Sequence, residues 1–234
     1  MKGLFKKLIK IIWPQRCGSC HDIIDPNSFL CDSCTDELCF TEAPICKFCG
    51  RGKDRCCCRR HKREYERVIA PFYYEKSAGN IIRNLKFRNM AGNAAFIAEQ
   101  LVIYIHEEYD IIFDLIASVP MSLKDKTKRG YNQAELIGKE LSKQLQIKYD
   151  EKALYKVQEN RTQHKLSAKE RTGNVFGVYE ADPASVNGKT ILLVDDIVTT
   201  GATLNECAKM LRLAGAEQVF CVAGAITTYS TCKV

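Results

Sequence analysis

The chain has 234 residues, of which 46% are apolar and 27% charged, a composition typical of globular proteins long enough to bury a core. No apolar run approaches the roughly 20 residues that a membrane-spanning helix needs, and Lys6, Lys7 and Lys10 interrupt the apolar amino-terminal stretch as they would not in a secretory signal. We therefore expect a cytoplasmic protein without a transmembrane segment, and the net charge of +7 favours anionic partners.

The first predicted element is an amphipathic helix over residues 2–12, with apolar residues on one side and lysines mainly on the other. Such a helix could contact a membrane surface or DNA. It could also pack as a cap on the segment that follows, with its lysines in solvent, and this second interpretation is favoured.

Cysteines dominate the next segment, because ten of the 13 lie between Cys17 and Cys58. In a reducing compartment such a cluster predicts metal sites before disulfides, and paired CxxC turns can bring four thiolates to one tetrahedral Zn²⁺. We predict one or two structural zinc ions, with ligands in two sets: Cys17, Cys20, Cys31 and Cys34, then Cys46, Cys49, Cys56 and Cys58. The last pair lacks CxxC spacing, so Cys57 or His61 could substitute in the second set, and Cys39 is expected to be a spare thiol.

Residues 51–67 carry eight Lys or Arg against three acids. This stretch could bind a phosphate backbone, with Tyr65 as one stacking candidate and the aromatic run at 72–74 as another. The charges could equally form a solvated face, and the aromatic run could belong to the core. The same stretch marks a predicted boundary between a zinc-ribbon domain over 1–66 and a second domain over 67–234.

Strands and helices alternate beyond residue 67, which predicts an α/β domain with a doubly wound parallel sheet and a ligand outside the strand carboxyl ends. The predicted strands cover 68–74, 111–119, 153–157, 175–179, 191–194 and 218–226. The main predicted helices cover 80–87, 91–104, 131–145 and the stretch after Thr203 up to Gly215. A polar loop over 158–166 precedes a short helix that a capping box starts at Ser167.

The stretch TILLVDDIVTTGATLNECAKMLRLAG at 190–215 organises this domain. The run at 191–194 predicts a strand buried on both faces, at whose end Asp195 and Asp196 follow. The small polar loop over 199–203 then opens a helix, a combination that offers backbone N–H groups and hydroxyls to an anion. We infer a sugar phosphate, with its phosphate in the loop and its hydroxyls on the two acids. The acids could instead work near a metal, or merely end the strand before an ordinary turn.

The unbroken match VDDIVTTGAT resembles the 5-phosphoribosyl-1-pyrophosphate (PRPP) motif of type I phosphoribosyltransferases. The resemblance implies that Asp195 and Asp196 hold the ribose 2′- and 3′-hydroxyls, and that PRPP binds with Mg²⁺. It also implies a 5′-phosphate site made by Thr199, Thr200, Gly201, Ala202 and Thr203.

The order of motifs along the chain resembles the ComF family of competence-associated, phosphoribosyltransferase-like proteins. The resemblance rests on the CxxC pairs, on RGYNQAELI at 129–137, on RTQHKLSAKERTGNVF at 161–176 and on the PRPP motif. It implies a type I phosphoribosyltransferase-like doubly wound parallel sheet preceded by a small Cys-rich zinc ribbon, with Met121 in the pyrophosphate loop and 158–166 as a hood over the site.

The pyrophosphate arm of PRPP requires cations, for which Lys124, Arg129 and Arg161 are candidates, although each could simply lie in a solvated loop. Gln133 could bind ligand oxygens or satisfy loop backbone. No residue is identified as a general base. The resemblance implies PRPP binding and a role with single-stranded DNA in natural transformation, with a DNA-uptake helicase or other competence proteins as partners. The alternative is an active transferase that moves ribose 5-phosphate to an unidentified base or amine.

Overall fold

A computed structural model describes residues 14–56, 58, 63–87, 90–157 and 178–228. Several predicted features lie outside these ranges: the helix over 2–12, the loop over 158–166, the short helix that begins at Ser167, Cys57, His61 and Arg161.

The second domain is built on five parallel strands that form one sheet. The strand order across the sheet is β1-β7-β6-β3, and β2 pairs with the carboxyl-terminal end of β7. Their bounds are β1 Val68–Ile69, β2 Phe72–Tyr73, β3 Leu115–Ser118, β6 Thr190–Val198 and β7 Gln218–Ile226. A separate antiparallel pair consists of β4 Leu154–Lys156 and β5 Tyr179–Ala181.

Helices cover both faces of the sheet. Their bounds are α1 Asp32–Asp36 in the cysteine-rich part, α2 Lys76–Phe87, α3 Gly92–Glu108, α4 Leu123–Arg129, α5 Gln133–Leu145, α6 Pro183–Val186 and α7 Ala202–Leu213. The α2, α3 and α5 helices share one core with Leu192 and Val194, whereas α7 and the β4–β5 pair share a second core with Ile191 and Leu193. Because side chains alternate along a strand, β6 contributes residues to both cores. The predicted doubly wound parallel sheet is therefore confirmed.

The central strand is longer than the sequence indicated. We predicted that β6 ends at Val194, but it continues to Val198, so Asp195 and Asp196 lie inside the strand rather than after it. The reason is the neighbouring strand, since β7 pairs with β6 as far as Val198↔Ile226. On the other side the ladder with β3 stops at Ser118↔Val194, so the acid pair lies where β6 has a partner on one side only within the described sheet.

Other element boundaries also differ from prediction. The predicted strand over 68–74 divides into β1 and β2 around Ala70 and Pro71, because proline cannot donate to a ladder. The α2 and α3 helices extend beyond their predicted bounds, and the predicted strand over 111–119 contracts to β3. Three short helices, α1, α4 and α6, were not predicted.

The cysteine-rich segment packs directly on the second domain. Asn84 of α2 donates from Nδ2 to the carbonyl oxygens of Gly18 and Ser19, each at 2.9 Å, and Asn93 of α3 donates to Gly18 at 3.1 Å. Thr41 donates to the carbonyl of Ala70 at 2.5 Å. Among the helices of the described ranges, none combines the length and apolar character needed to cross a membrane.

Candidate functional site

The eight predicted zinc ligands form two groups in space, each with its four sulfur atoms within 4.8 Å of one another. The first group joins Cys17 and Cys20 to Cys31 and Cys34, and the second joins Cys46 and Cys49 to Cys56 and Cys58. Cys39 stays apart and donates to the carbonyl of Glu37 at 3.7 Å.

The sulfur spacing in both groups suits zinc. Cys20 and Cys31 sulfurs lie 3.7 Å apart, and Cys58 lies 3.6 Å from both Cys46 and Cys56. Zn–S bonds of about 2.3 Å give a tetrahedral S···S edge of about 3.8 Å. A disulfide would need about 2.0 Å. The residues therefore fit two structural zinc ions, whose bonds would tie together a segment that has few core residues.

The junction after β6 is a tight, solvent-facing loop at a helix start. Thr199 and Thr200 are exposed, Gly201 is buried, and α7 begins at Ala202 with exposed Thr203 in its first turn. Gly201 has φ of 76°, a left-handed conformation that favours glycine. The Thr200 hydroxyl accepts from the Ala202 N–H at 3.3 Å. All five residues of the predicted phosphate loop are thus contiguous at one helix N-terminus.

The N-cap residue of α7 provides no side-chain cap, as is also true of Cys31 before α1 and Ala91 before α3. The residues Ser122, Asn132 and Asp182 precede α4, α5 and α6 and each accept a backbone N–H through their side chains. Gly201 precedes α7 and has no side chain with which to do so. The Thr200 hydroxyl accepts the first N–H group of α7, that of Ala202. The next N–H groups of the first turn have no intrahelical acceptor, so an anion can bind them.

The two acids lie on opposite faces of β6, because consecutive strand residues alternate. Asp196 shares its face with α2, whose Lys86 Nζ lies 2.8 Å from Asp196 Oδ2. Asp195 accepts the backbone N–H of Asp196 at 2.8 Å. Burial, with the neighbouring Asp196 carboxylate as a second cause, raises the pKa of Asp195 to about 8. We predicted that both acids contact one ligand, and that prediction included neither their alternation on β6 nor the pairing of Asp196 with Lys86.

A cavity of about 890 Å³ opens beside the loop that follows β3. Met121 and Lys124 line it, as predicted for pyrophosphate contacts, together with Lys126, Lys152 and Lys156. Arg129 does not line this cavity: its guanidinium lies over the Phe87 ring at 5.6 Å. Gln133 is fully buried, and among the described residues its carboxamide has no hydrogen-bond partner.

The stretch around RGYN has a structural role at this cavity. Gly130 closes α4 in a left-handed conformation, and Asn132 then caps α5. The Asn132 carboxamide also donates to the Val119 carbonyl at 2.9 Å, while the Tyr131 hydroxyl donates to Leu85 at 2.5 Å. The motif therefore joins the end of β3 to α5 and α2.

The aromatic candidates for base stacking are largely core residues. Tyr65, Phe72 and Tyr73 are buried, and Tyr74 packs partly buried against the first core. Much of the described basic stretch is also engaged internally, since Arg51 is buried and Arg67 pairs with Glu108.

Comparison with known proteins gives separate family matches for two parts of the chain. A family model described as phosphoribosyl transferase domain matches residues 131–227, and one described as double zinc ribbon domain matches residues 8–66. DNA utilization protein YhgH of Escherichia coli (strain K12) is 28% identical over 212 residues, 88% of each chain. Competence protein F of Haemophilus influenzae is 28% identical over 217 residues, 87% of this chain and 93% of that protein. Over most of its length the chain is therefore similar to competence protein F and to the DNA utilization proteins.

Other ComF-type and phosphoribosyltransferase relatives match over shorter parts. Competence protein ComFC of Streptococcus pneumoniae is 31% identical over 126 residues, 54% of this chain and 51% of that protein. Among solved structures, adenine phosphoribosyltransferase from Thermoanaerobacter pseudethanolicus is similar with a TM-score of 0.39 and 18% identity, over 60% of this chain and 83% of that chain. By the two family-model matches and its parallel sheet, the chain combines a double zinc ribbon with a type I phosphoribosyltransferase fold.

Proposed function

We propose that this protein is a member of the ComF family that binds PRPP with Mg²⁺ at the β6–α7 junction and acts in natural transformation on the cytoplasmic side of the membrane. The observation that carries the binding proposal is the loop itself: exposed threonines and a left-handed glycine lie at a helix start whose N-cap residue has no side chain. Backbone N–H groups and hydroxyls in this arrangement bind phosphate monoesters. The names of the relatives, competence protein F and DNA utilization protein, support the process.

In this proposal, the loop from Thr199 to Thr203 binds the 5′-phosphate, and Asp195 and Asp196 accept hydrogen bonds from the ribose hydroxyls. Since the two acids occupy opposite faces of β6, the ribose has to lie across the edge of that strand that β3 leaves unpaired beyond Val194. Met121 and Lys124, which line the cavity beside the loop after β3, are the proposed pyrophosphate contacts. Arg161, outside the described residues, is a further candidate. Mg²⁺ supplied with PRPP would neutralise charge on the pyrophosphate.

Titration calorimetry with PRPP and Mg²⁺ tests the site. We expect wild-type protein to bind, and the Asp195→Asn/Asp196→Asn double variant to bind at least about tenfold more weakly, because a hydrogen bond to the charged Asp196 alone contributes about 1.5–3 kcal/mol. The two single variants show whether both faces of β6 take part. Glu140→Gln, on the exposed side of α5, is the control. Equal affinity of wild type and double variant would show that the ligand does not use these acids.

Single-stranded DNA is the second proposed ligand, and one surface favours it. Phe87 is 70% exposed, the guanidinium of Arg129 lies over its ring, and Arg83 joins it in a groove of about 420 Å³ with His21 and Asn80. An exposed ring beside cations is the combination that stacks a base and attracts a phosphate backbone. Transfer of DNA to this surface or from it would involve a DNA-uptake helicase or other competence proteins as partners.

A salt series with an oligonucleotide tests this surface. We expect Phe87→Ala to weaken binding by about 1–3 kcal/mol and Arg129→Ala to reduce the salt slope by about 0.7. Phe40→Ala is the matched control, because Phe40 is 42% exposed but contacts the ring of Phe72. Affinity that is independent of salt, or equal effects of both phenylalanine variants, would exclude the groove.

The alternative to a binding role is turnover. A transferase would need the same PRPP site, with catalysis from positioning and charge stabilisation of the leaving pyrophosphate. A pyrophosphate-release assay over a panel of bases and amines separates the two, because a binding protein releases none with any acceptor.

A further inference from the structure

Arg51 connects the second cysteine group to the candidate phosphate loop. Its side chain is 1% exposed and donates to three carbonyl groups from separate parts of the chain. Nη2 donates to Thr199 at 2.9 Å, Nε donates to Thr227 at 2.9 Å, and Nη1 donates to Cys49 at 3.4 Å. Only the planar, forked guanidinium can donate in these three directions at once.

The cysteine turn fixes the start of this side chain. Within the turn, the N–H of Gly50 donates to Cys46 at 2.8 Å, and the N–H of Cys46 donates to the Arg51 carbonyl at 2.8 Å. Arg51 therefore emerges from a backbone that two ligands of the second group, Cys46 and Cys49, hold in place.

A second set of contacts reaches the same loop from the chain just after the cysteine group. Arg63 Nη2 donates to the Thr200 carbonyl at 3.2 Å, and the Glu64 N–H donates to Asn205 Oδ1 at 3.0 Å in α7. The Tyr65 hydroxyl would lie 3.1 Å from a Cβ placed on Gly201. Two guanidinium groups thus hold two successive loop carbonyls.

Anchored carbonyls determine where the next N–H groups point. In a planar trans peptide the C=O and the following N–H project in opposite directions. Holding the carbonyls of Thr199 and Thr200 against the ribbon therefore turns the N–H groups of Thr200 and Gly201 away from it. A pair of successive N–H groups aimed the same way is what an anion requires.

We propose that Arg51 is a positioning residue that, with Arg63, presets the phosphate loop, so that the second cysteine group and its metal set the loop's affinity for phosphate. This inference rests on the proposed binding of PRPP. It assigns the second ribbon a role in ligand binding in addition to its own folding.

The experiment compares hydrogen exchange of the 199–205 backbone in ligand-free wild type, Arg51→Met and Arg51→Lys, with zinc content and PRPP affinity measured in parallel. We expect both variants to keep two zinc ions, to exchange at least about tenfold faster in this segment and to bind PRPP about tenfold more weakly. Lysine should not restore the loop, because it lacks the fork. Arg16→Met is the control, since Arg16 is exposed and donates to His21 within the first ribbon.

Unchanged exchange at 199–205 in Arg51→Met would overturn the proposal. If the Arg51 variants do not fold, Arg63→Met is the deciding variant, because Arg63 is only half-buried. We expect its hydrogen exchange to be about two- to threefold faster in the loop alone. Unchanged exchange in this variant would overturn the proposal. Wild type that binds no PRPP while Arg51→Met still loosens the loop would refute the proposed function and support the positioning role. Tight PRPP binding, together with equal hydrogen exchange at 199–205 in all variants, would support the proposed function and refute the positioning role.

Discussion

Lys86 of α2 and Asp196 of β6 form an ion pair, with Nζ 2.8 Å from Oδ2 and both side chains less than one-fifth exposed. The pair joins a helix of the first core to the second acid of the PRPP motif. It gives Asp196 a counter-charge in the absence of ligand and adds a cation to the candidate site. Lys86 therefore belongs to the candidate site, although no motif in the sequence connects it with the two acids.

We expect this pair to stabilise the fold more than a surface pair does. In a double-mutant cycle, Lys86→Met and Asp196→Asn should show a coupling energy of about 1–2 kcal/mol in denaturant unfolding, because a partly buried pair is less screened. The exposed Lys143–Glu140 pair is the control, with at most about 0.5 kcal/mol. Coupling no greater than the control would contradict this role.

The pKa of Asp195 predicts a pH dependence of stability. Burial raises this pKa to about 8, whereas the unfolded chain titrates near about 4. Between these values the folded protein retains a proton that the unfolded chain has lost, so this residue makes stability fall as pH rises. Asp195→Asn should therefore be more stable than wild type by about 1–3 kcal/mol at pH 8.5, with the difference vanishing near pH 4. Asp196→Asn, which removes the partner of Lys86, should show no such gain.

The two cysteine groups should lose metal separately. Cys17→Ser/Cys20→Ser and Cys46→Ser/Cys49→Ser should each reduce zinc from two ions per chain to one, measured by mass spectrometry under native conditions. Cys39→Ser should keep two, because Cys39 lies outside both groups. An iron–sulfur absorbance, or no metal in wild-type protein, would contradict the zinc assignment.

Asn84 should be the main polar anchor of the first ribbon. Its buried Nδ2 donates to the carbonyls of Gly18 and Ser19, so Asn84→Ala leaves two acceptors with fewer partners. We expect a loss of about 2–3 kcal/mol in the free energy of unfolding. Asn80→Ala is the matched variant, because Asn80 is only half-buried and donates to the Ser19 hydroxyl at 3.3 Å, and it should cost less than about 1 kcal/mol. Equal losses would show that the interface does not depend on Asn84.

Local patterns in the sequence predicted the features that depend on local spacing. The cysteine sets follow from CxxC turns, and the bounds of β7 follow from an uninterrupted apolar run. The extent of β6 could not be predicted in this way, because Asp195 and Asp196 interrupt its apolar run and only pairing with β7 continues it. That Asp195 and Asp196 lie on opposite faces of β6 could not be predicted for the same reason, because it depends on both residues lying within the strand.

The missed elements and contacts have equally specific causes. The α4 helix is short and charged without apolar periodicity, although Ser122 and Gly130 at its ends were signals that could have revealed it. The pairing of Lys86 with Asp196 and the donation from Arg51 to Thr199 join residues distant in sequence. Spacing along one chain carries no information about such contacts.

The most direct test of the proposed phosphate site is an amide NMR titration with ribose 5-phosphate and then with PRPP and Mg²⁺. Ribose 5-phosphate should cause its largest shifts at residues 199–203, and PRPP should add shifts around Met121 and Lys124 that ribose 5-phosphate does not cause. Shifts confined to the groove beside Phe87, with residues 199–203 unchanged by either ligand, would contradict the site.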